Sequence, residues 1–163
     1  MDFAEQSELV GKLLLSAFCG GLIGWQRDRL QYVAGLRTMA LVAIGASVFT
    51  GVNEVLGVDR IASNIVTGIG FLGAGIIFRD GATVRGITTA ATIWSVAAIG
   101  VAIGAELYLL ALVATPLVFL ILEMRPLSDY LSGHRPRIPL PDILRRDSAS
   151  RDDEDEGVER QDG

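Results

Sequence analysis

The sequence predicts an all-α membrane protein, a bundle of about five transmembrane helices, and three observations carry that prediction. The first is where the charge lies. Of the 33 charged side chains in 163 residues, 17 fall in the 39 residues from Arg125 onward, so the first 124 residues are far more apolar than the average. The second is the length of the apolar runs. A helix needs roughly 20 apolar residues to cross about 30 Å of hydrocarbon at about 1.5 Å per residue, and several runs here approach or reach that length. The third is that the arginines gather in alternate loops, as the positive-inside rule requires of a polytopic chain.

Taken in order, the spans are expected at about 9–25, 36–56, 61–78, 87–104 and 106–123. Each must be helical, because a segment in hydrocarbon has to satisfy its own backbone hydrogen bonds. The stretch from Gly86 to Leu122 is too long for one crossing. Its single charge, Glu106, marks a tight reversal at Gly104-Ala105-Glu106. Beyond the spans, residues 1–124 form the membrane domain and 125–163 a cytoplasmic tail. The tail carries four prolines (126, 136, 139 and 141) and the acidic run Asp152–Glu156. A segment so polar buries too little apolar surface to fold, so disorder is the expectation.

Arg27, Arg29 and Arg37 lie in or at the edge of the first loop, Arg79 and Arg85 in the third, and Arg125 opens the tail, against Lys12 and Arg60 on the other side. The N-terminus is therefore expected outside and the C-terminus inside the cell. Two stretches also resemble each other, GLIGWQRDRLQYVAGLRT (Gly21–Thr38) and GAGIIFRDGATVRGITT (Gly73–Thr89). Either spans 1–2 and 3–4 are a parallel hairpin repeat, or Gly-rich membrane sequence has produced the likeness by composition.

Four features could carry chemistry. Gly68-Ile69-Gly70-Phe71-Leu72-Gly73 matches GxGxxG, but the dinucleotide fingerprint works only between a strand and an exposed helix start. Inside a span these glycines, with Gly75, read as helix packing or as a helix kept thin beside a pathway. Gly20/Gly24 and Gly100/Gly104 have GxxxG spacing, which lets membrane helices approach closely. Asn64, Gly68, Phe71, Gly75 and Arg79 share one face of the third span, and Thr88, Thr92 and Ser95 form a polar stripe on the fourth, opened by Thr88-Thr89. Such groups bond neighbouring helices or line a cavity. Finally, Arg27, Arg29, Arg37, Arg79 and Arg85, with Asp28 and Asp80, make a basic cytoplasmic rim suited to anionic headgroups or an acidic partner.

Other classes are disfavoured. The single cysteine, Cys19, can form no disulfide or thiolate cluster within one chain. Phe18 before it and the acidic Asp2, Glu5 and Glu8 argue against a lipoprotein or cleaved signal peptide. The single histidine, His134, lies in the tail, and no catalytic constellation is seen, so no enzyme, cofactor, metal site or nucleic-acid partner is expected. Divalent cations want several oxygen ligands, usually carboxylates, whereas Asp28, Glu54, Asp59, Asp80 and Glu106 all sit at span ends.

The runs GGLIGWQRD…AGLRTMALVAIGASVF, DRIASNIVTGIGFLGAGIIFRDG and VRGITTAATIWSVAAIGVAIG resemble the N-terminal membrane domain of the MgtC/SapB family, over about residues 9–122. The resemblance implies a multi-pass protein of the bacterial inner (plasma) membrane. Its relatives are associated with growth under magnesium limitation and, in pathogens, with survival inside macrophages. One member is held to act on the proton-translocating ATP synthase and not to carry magnesium. Arg27, Arg37, Asp59, the Gly68–Gly75 run, Arg85 and Thr88–Thr92 follow the family pattern. Two departures stand out: Gln26 replaces a common glutamate, and the tail is too short and polar for the folded C-terminal domain of virulence-type members. Two functions are carried forward. One is a non-enzymatic membrane regulator acting by contact with another membrane protein, with a homo-oligomer fitting the same faces. The other is a transporter or channel for Mg²⁺ or another ion.

Overall fold

The computed structural model describes residues 3–57, 60–80 and 83–124, and the expectations for the tail lie outside the described residues. Five helices follow one another: α1 (Phe3–Arg29), α2 (Leu36–Leu56), α3 (Arg60–Ile76), α4 (Ile87–Gly104) and α5 (Tyr108–Glu123). The protein is thus an all-α bundle. By length and composition three helices are fit to cross a membrane (Gln6–Arg29, Leu36–Asn53 and Ile87–Gly104), while α3 and α5 are shorter apolar helices.

Two of the boundary differences from the sequence expectation bear on the site. α1 runs past residue 25 to Arg29, which brings Arg27 into the helix. The third span stops at Ile76 and not at 78, because a short antiparallel hairpin follows. β1 (Phe78–Asp80) pairs with β2 (Thr83–Arg85) in the register Phe78↔Arg85, Arg79↔Val84 and Asp80↔Thr83. Three-residue strands are too short for a period of two to be visible. Arg27 therefore sits in a helix and Arg79 in a strand, so the two look-alike stretches differ in local structure.

The connections follow from local chemistry. After α1 the chain turns through Gln31 at φ 57, with Gln31 N–H donating to the Asp28 carbonyl at 3.1 Å. The Asp28 carboxylate then accepts the Leu36 N–H at 2.9 Å, satisfying one orphan donor at the start of α2. Gly86, at φ 91, opens α4, and a Cβ there would strike the Ile76 carbonyl, so glycine is required on two counts. The reversal between α4 and α5 falls at Ala105–Leu107, closed by Glu106 N–H to Ile103 O at 3.1 Å and Leu107 N–H to Ala102 O at 2.8 Å.

Packing centres on α2, with α1 and α4 laid against it. The contact is made by the two GxxxG pairs. A Cβ on Gly20 would stand 2.6 Å from the Met39 carbonyl, and one on Gly24 2.5 Å from the Leu36 Cα. On α4, a Cβ at Gly104 would lie 2.7 Å from the Ser47 carbonyl, and one at Gly100 would strike that of Ala43. All four glycines are where backbone meets backbone, and dispersion over that contact replaces the hydrophobic drive that lipid cannot supply. Cys19, Ile23, Met39, Ala43, Ile93, Val96 and Ile103 fill the core between them. α3 packs mainly on α4, where a Cβ added to Gly73 would lie 3.5 Å from that of Ala90, and leaves most of its surface outward.

Candidate functional site

The chemistry gathers at one end of the bundle around Arg27. Its position follows from helical spacing: Gly20, Ile23, Gly24 and Arg27 share the face of α1 turned to the interior, and Arg27 is only 1% exposed. Nε donates to the Ala34 carbonyl at 3.1 Å. One terminal nitrogen donates to Thr89 Oγ1 at 2.6 Å and the other to Thr92 Oγ1 at 3.3 Å. The Tyr32 ring centroid lies 4.1 Å from the guanidinium carbon. Among the described residues no carboxylate stands within ion-pair distance, so hydroxyls, a carbonyl and a ring face meet the charge. The hub joins α1, the α1–α2 loop and α4. A buried cation costs several kcal/mol unless its donors are met, so these partners must be in place together.

This corrects the sequence reading of the rim. Arg27 does not belong to the surface, and Asp28 caps α2. A Cβ on Gly35 would collide with the Asp28 carboxylate, which explains the glycine in AGLRT. Arg37, Arg79 and Arg85 are exposed, and of Asp80 only its place in β1 is described. Arg29 is exposed as well, stacked on Trp25 at 5.0 Å. On α4 the important face is Thr89 and Thr92, both buried, with Thr88 exposed and lending only its carbonyl to Thr92 Oγ1 at 2.7 Å. Ser95 is half-buried and bonds the Ala91 carbonyl.

Beside the hub, Gln26 reaches α5. Its Nε2 donates to the Phe119 carbonyl at 3.2 Å and to the Glu123 carboxylate, while its buried Oε1 has no partner among the described residues. At the other end of α1, roughly 22 Å away along the helix, Lys12 binds Glu106 at 2.8 Å and Glu8 at 3.4 Å. The hydrogen bond from Lys12, and then its charge, lower the Glu106 pKa below the usual glutamate range. Tyr32, Ala34, Glu123 and the Lys12–Glu106 tie escaped the sequence reading. Carrying the α1 periodicity two residues further would have exposed the buried character of Arg27; nothing in the sequence pairs it with α4.

Three glycines of α3 differ from Gly20, Gly24, Gly100 and Gly104: Cβ atoms at Gly68, Gly70 and Gly75 would meet nothing within 4 Å among the described residues. Thr67, Phe71 and Gly75 share the outward face, with Phe71 81% exposed. Gly68 borders an apolar groove of about 550 Å³ between α2 and α3, in which Asn64 is the sole side chain with a hydrogen-bonding group.

The chain is 48% identical over 128 residues to Protein MgtC of Brucella abortus (strain 2308), covering 76% of this chain and 52% of that protein. It is 50% identical over 109 residues to Protein MgtC of Salmonella typhimurium (strain LT2), covering 65% and 47%. The chain thus spans about half the length of the curated relatives it matches. No solved structure matches. The MgtC family profile matches residues 13–129, a stretch that holds the Arg27 hub, both GxxxG pairs and the α3 glycines, and the chain belongs to the MgtC family.

Proposed function

We propose that this chain is a multi-pass protein of the bacterial inner membrane, linked to magnesium limitation and ion homeostasis, that acts as a non-enzymatic regulator through lateral contact with another membrane protein. The observation that carries the reading is the contrast between two sets of glycines. The GxxxG glycines Gly20, Gly24, Gly100 and Gly104 are closed against α2, whereas Cβ atoms at Gly70 and Gly75 of α3 would meet nothing within 4 Å among the described residues. A thin, outward face of Thr67, Phe71 and Gly75 leads toward the exposed Arg79 and Arg85 of the hairpin. Such a face suits close approach of a partner helix, and the arginines suit acidic groups at the membrane surface. The Arg27 hub fixes α1 against α4 and so holds the frame that presents this face.

The second reading, an ion transporter, draws on Asn64 in the groove beside α3. One amide among aliphatic walls is a poor substitute for the six or so oxygens a divalent cation requires, so the groove supports the first reading better. Liposomes holding only the purified chain separate the two. The regulator reading expects no Mg²⁺ flux from folded, inserted protein, and a photo-crosslinker at residue 71 in cells should then capture one reproducible membrane protein. Flux that needs the intact chain and falls in Asn64→Leu would overturn it.

A further inference from the structure

The groove between α2 and α3 is not used by the Arg27 hub or by the outward face of α3, and its shape is that of a site. Its walls are apolar, Leu41 to Phe49 on one side and Ile65 to Leu72 on the other, and its volume of about 550 Å³ falls within the range of ligand pockets. It is wide because two facing positions lack side chains: Cβ atoms at Gly45 and Gly68 would meet nothing within 4 Å. At one end stands Asn64, one turn into α3, exposed and without a hydrogen-bond partner among the described residues. At the edge of the hydrocarbon such an amide is placed to bond the polar part of whatever fills the groove.

We infer that this groove binds an acyl chain of a membrane phospholipid, with Asn64 donating to the ester or phosphate oxygens of that lipid. The layout matches an amphiphile. The polar group lies about 6 Å in from the start of α3 at about 1.5 Å per residue, the depth of the headgroup boundary, and everything beyond it toward Leu72 is apolar. The walls are open on the side where Leu41, Phe49 and Leu72 are exposed, so a chain can enter sideways from the bilayer.

The test uses the full chain in liposomes that contain a phosphatidylethanolamine with a photoactivatable acyl chain. Labelled peptides should concentrate on the groove walls. Labelling there should be lost in Gly68→Leu and in Gly45→Leu, which fill the groove from opposite walls without a Cβ clash. Asn64→Leu should weaken retention about tenfold, as expected for one hydrogen bond in a membrane. Gly75→Leu, outside the groove, should leave labelling intact, and that variant also separates this result from the partner face. Two leucine variants from different helices, each checked for native thermal stability, keep a folding failure in one from deciding the matter. Labelling spread evenly over α1, α3 and α5, or unchanged in both filled variants, would overturn the inference. So would a crosslink that places a second copy of the chain in the groove.

Discussion

Replacing Arg27 with methionine removes a charge that the fold has surrounded with donors' partners, and the structure sets the size of the effect. A hydrogen bond to a charged group contributes about 1.5–3 kcal/mol. The bonds to Thr89 at 2.6 Å and Ala34 at 3.1 Å belong in that range, with the one to Thr92 at 3.3 Å at its lower edge. The Tyr32 face adds up to about 2 kcal/mol in a desolvated setting. Against these stands a burial cost of several kcal/mol for the guanidinium, which methionine does not incur. The net loss expected is about 2–4 kcal/mol. Arg27→Lys should lose nearly as much, since an ammonium lacks the planar fork that reaches α4 and the loop together. The assay is equilibrium unfolding in mixed micelles, run as a double-mutant cycle with Thr89→Val. Arg27 and Thr89 should couple by about 1–2 kcal/mol, above the roughly 0.3–0.5 kcal/mol of independent sites. Additive losses, or an Arg27→Met protein as stable as the parent, would refute the hub.

Three further outcomes follow from the same geometry. Gly100→Leu drives a Cβ into the Ala43 carbonyl and should cost at least about 1–3 kcal/mol, whereas Gly75→Ala, facing outward, should be neutral or gain up to about 1 kcal/mol of helix propensity; thermal stability of the purified variants ranks them. Because Lys12 lowers the Glu106 pKa, the Lys12–Glu106 tie contributes fully above the ordinary glutamate pKa of about 4.3 and is lost as pH falls through the lowered value. Melting temperature measured against pH should therefore drop on the acid side, and Glu106→Gln should flatten that drop. Gln26→Glu sets a second carboxylate against Glu123, which should destabilise the chain at neutral pH and relieve it on acidification. Glu123→Gln should rescue that variant, read as recovery of melting temperature at pH 7.

The sequence by itself determined the helices, because membrane spans are dictated by run length and by the need to close backbone hydrogen bonds locally. It likewise placed the reversal at Glu106, since a charge inside a long apolar stretch must reach an interface. Gly20/Gly24 and Gly100/Gly104 could be named from spacing, but which helix they pack against could not. That α2 receives both pairs is a property of the bundle. Arg27 shows the limit most clearly. Its type and its place near a span end fit a surface arginine, and only the continuation of α1 to Arg29 turns it inward. Its partners Thr89 and Thr92 lie more than sixty residues away, and such contacts arise from three-dimensional packing that no local period encodes. The same holds for α3. In sequence its glycines could be read as packing glycines like the others, and the folded bundle decides which backbones meet and which surfaces remain for another molecule.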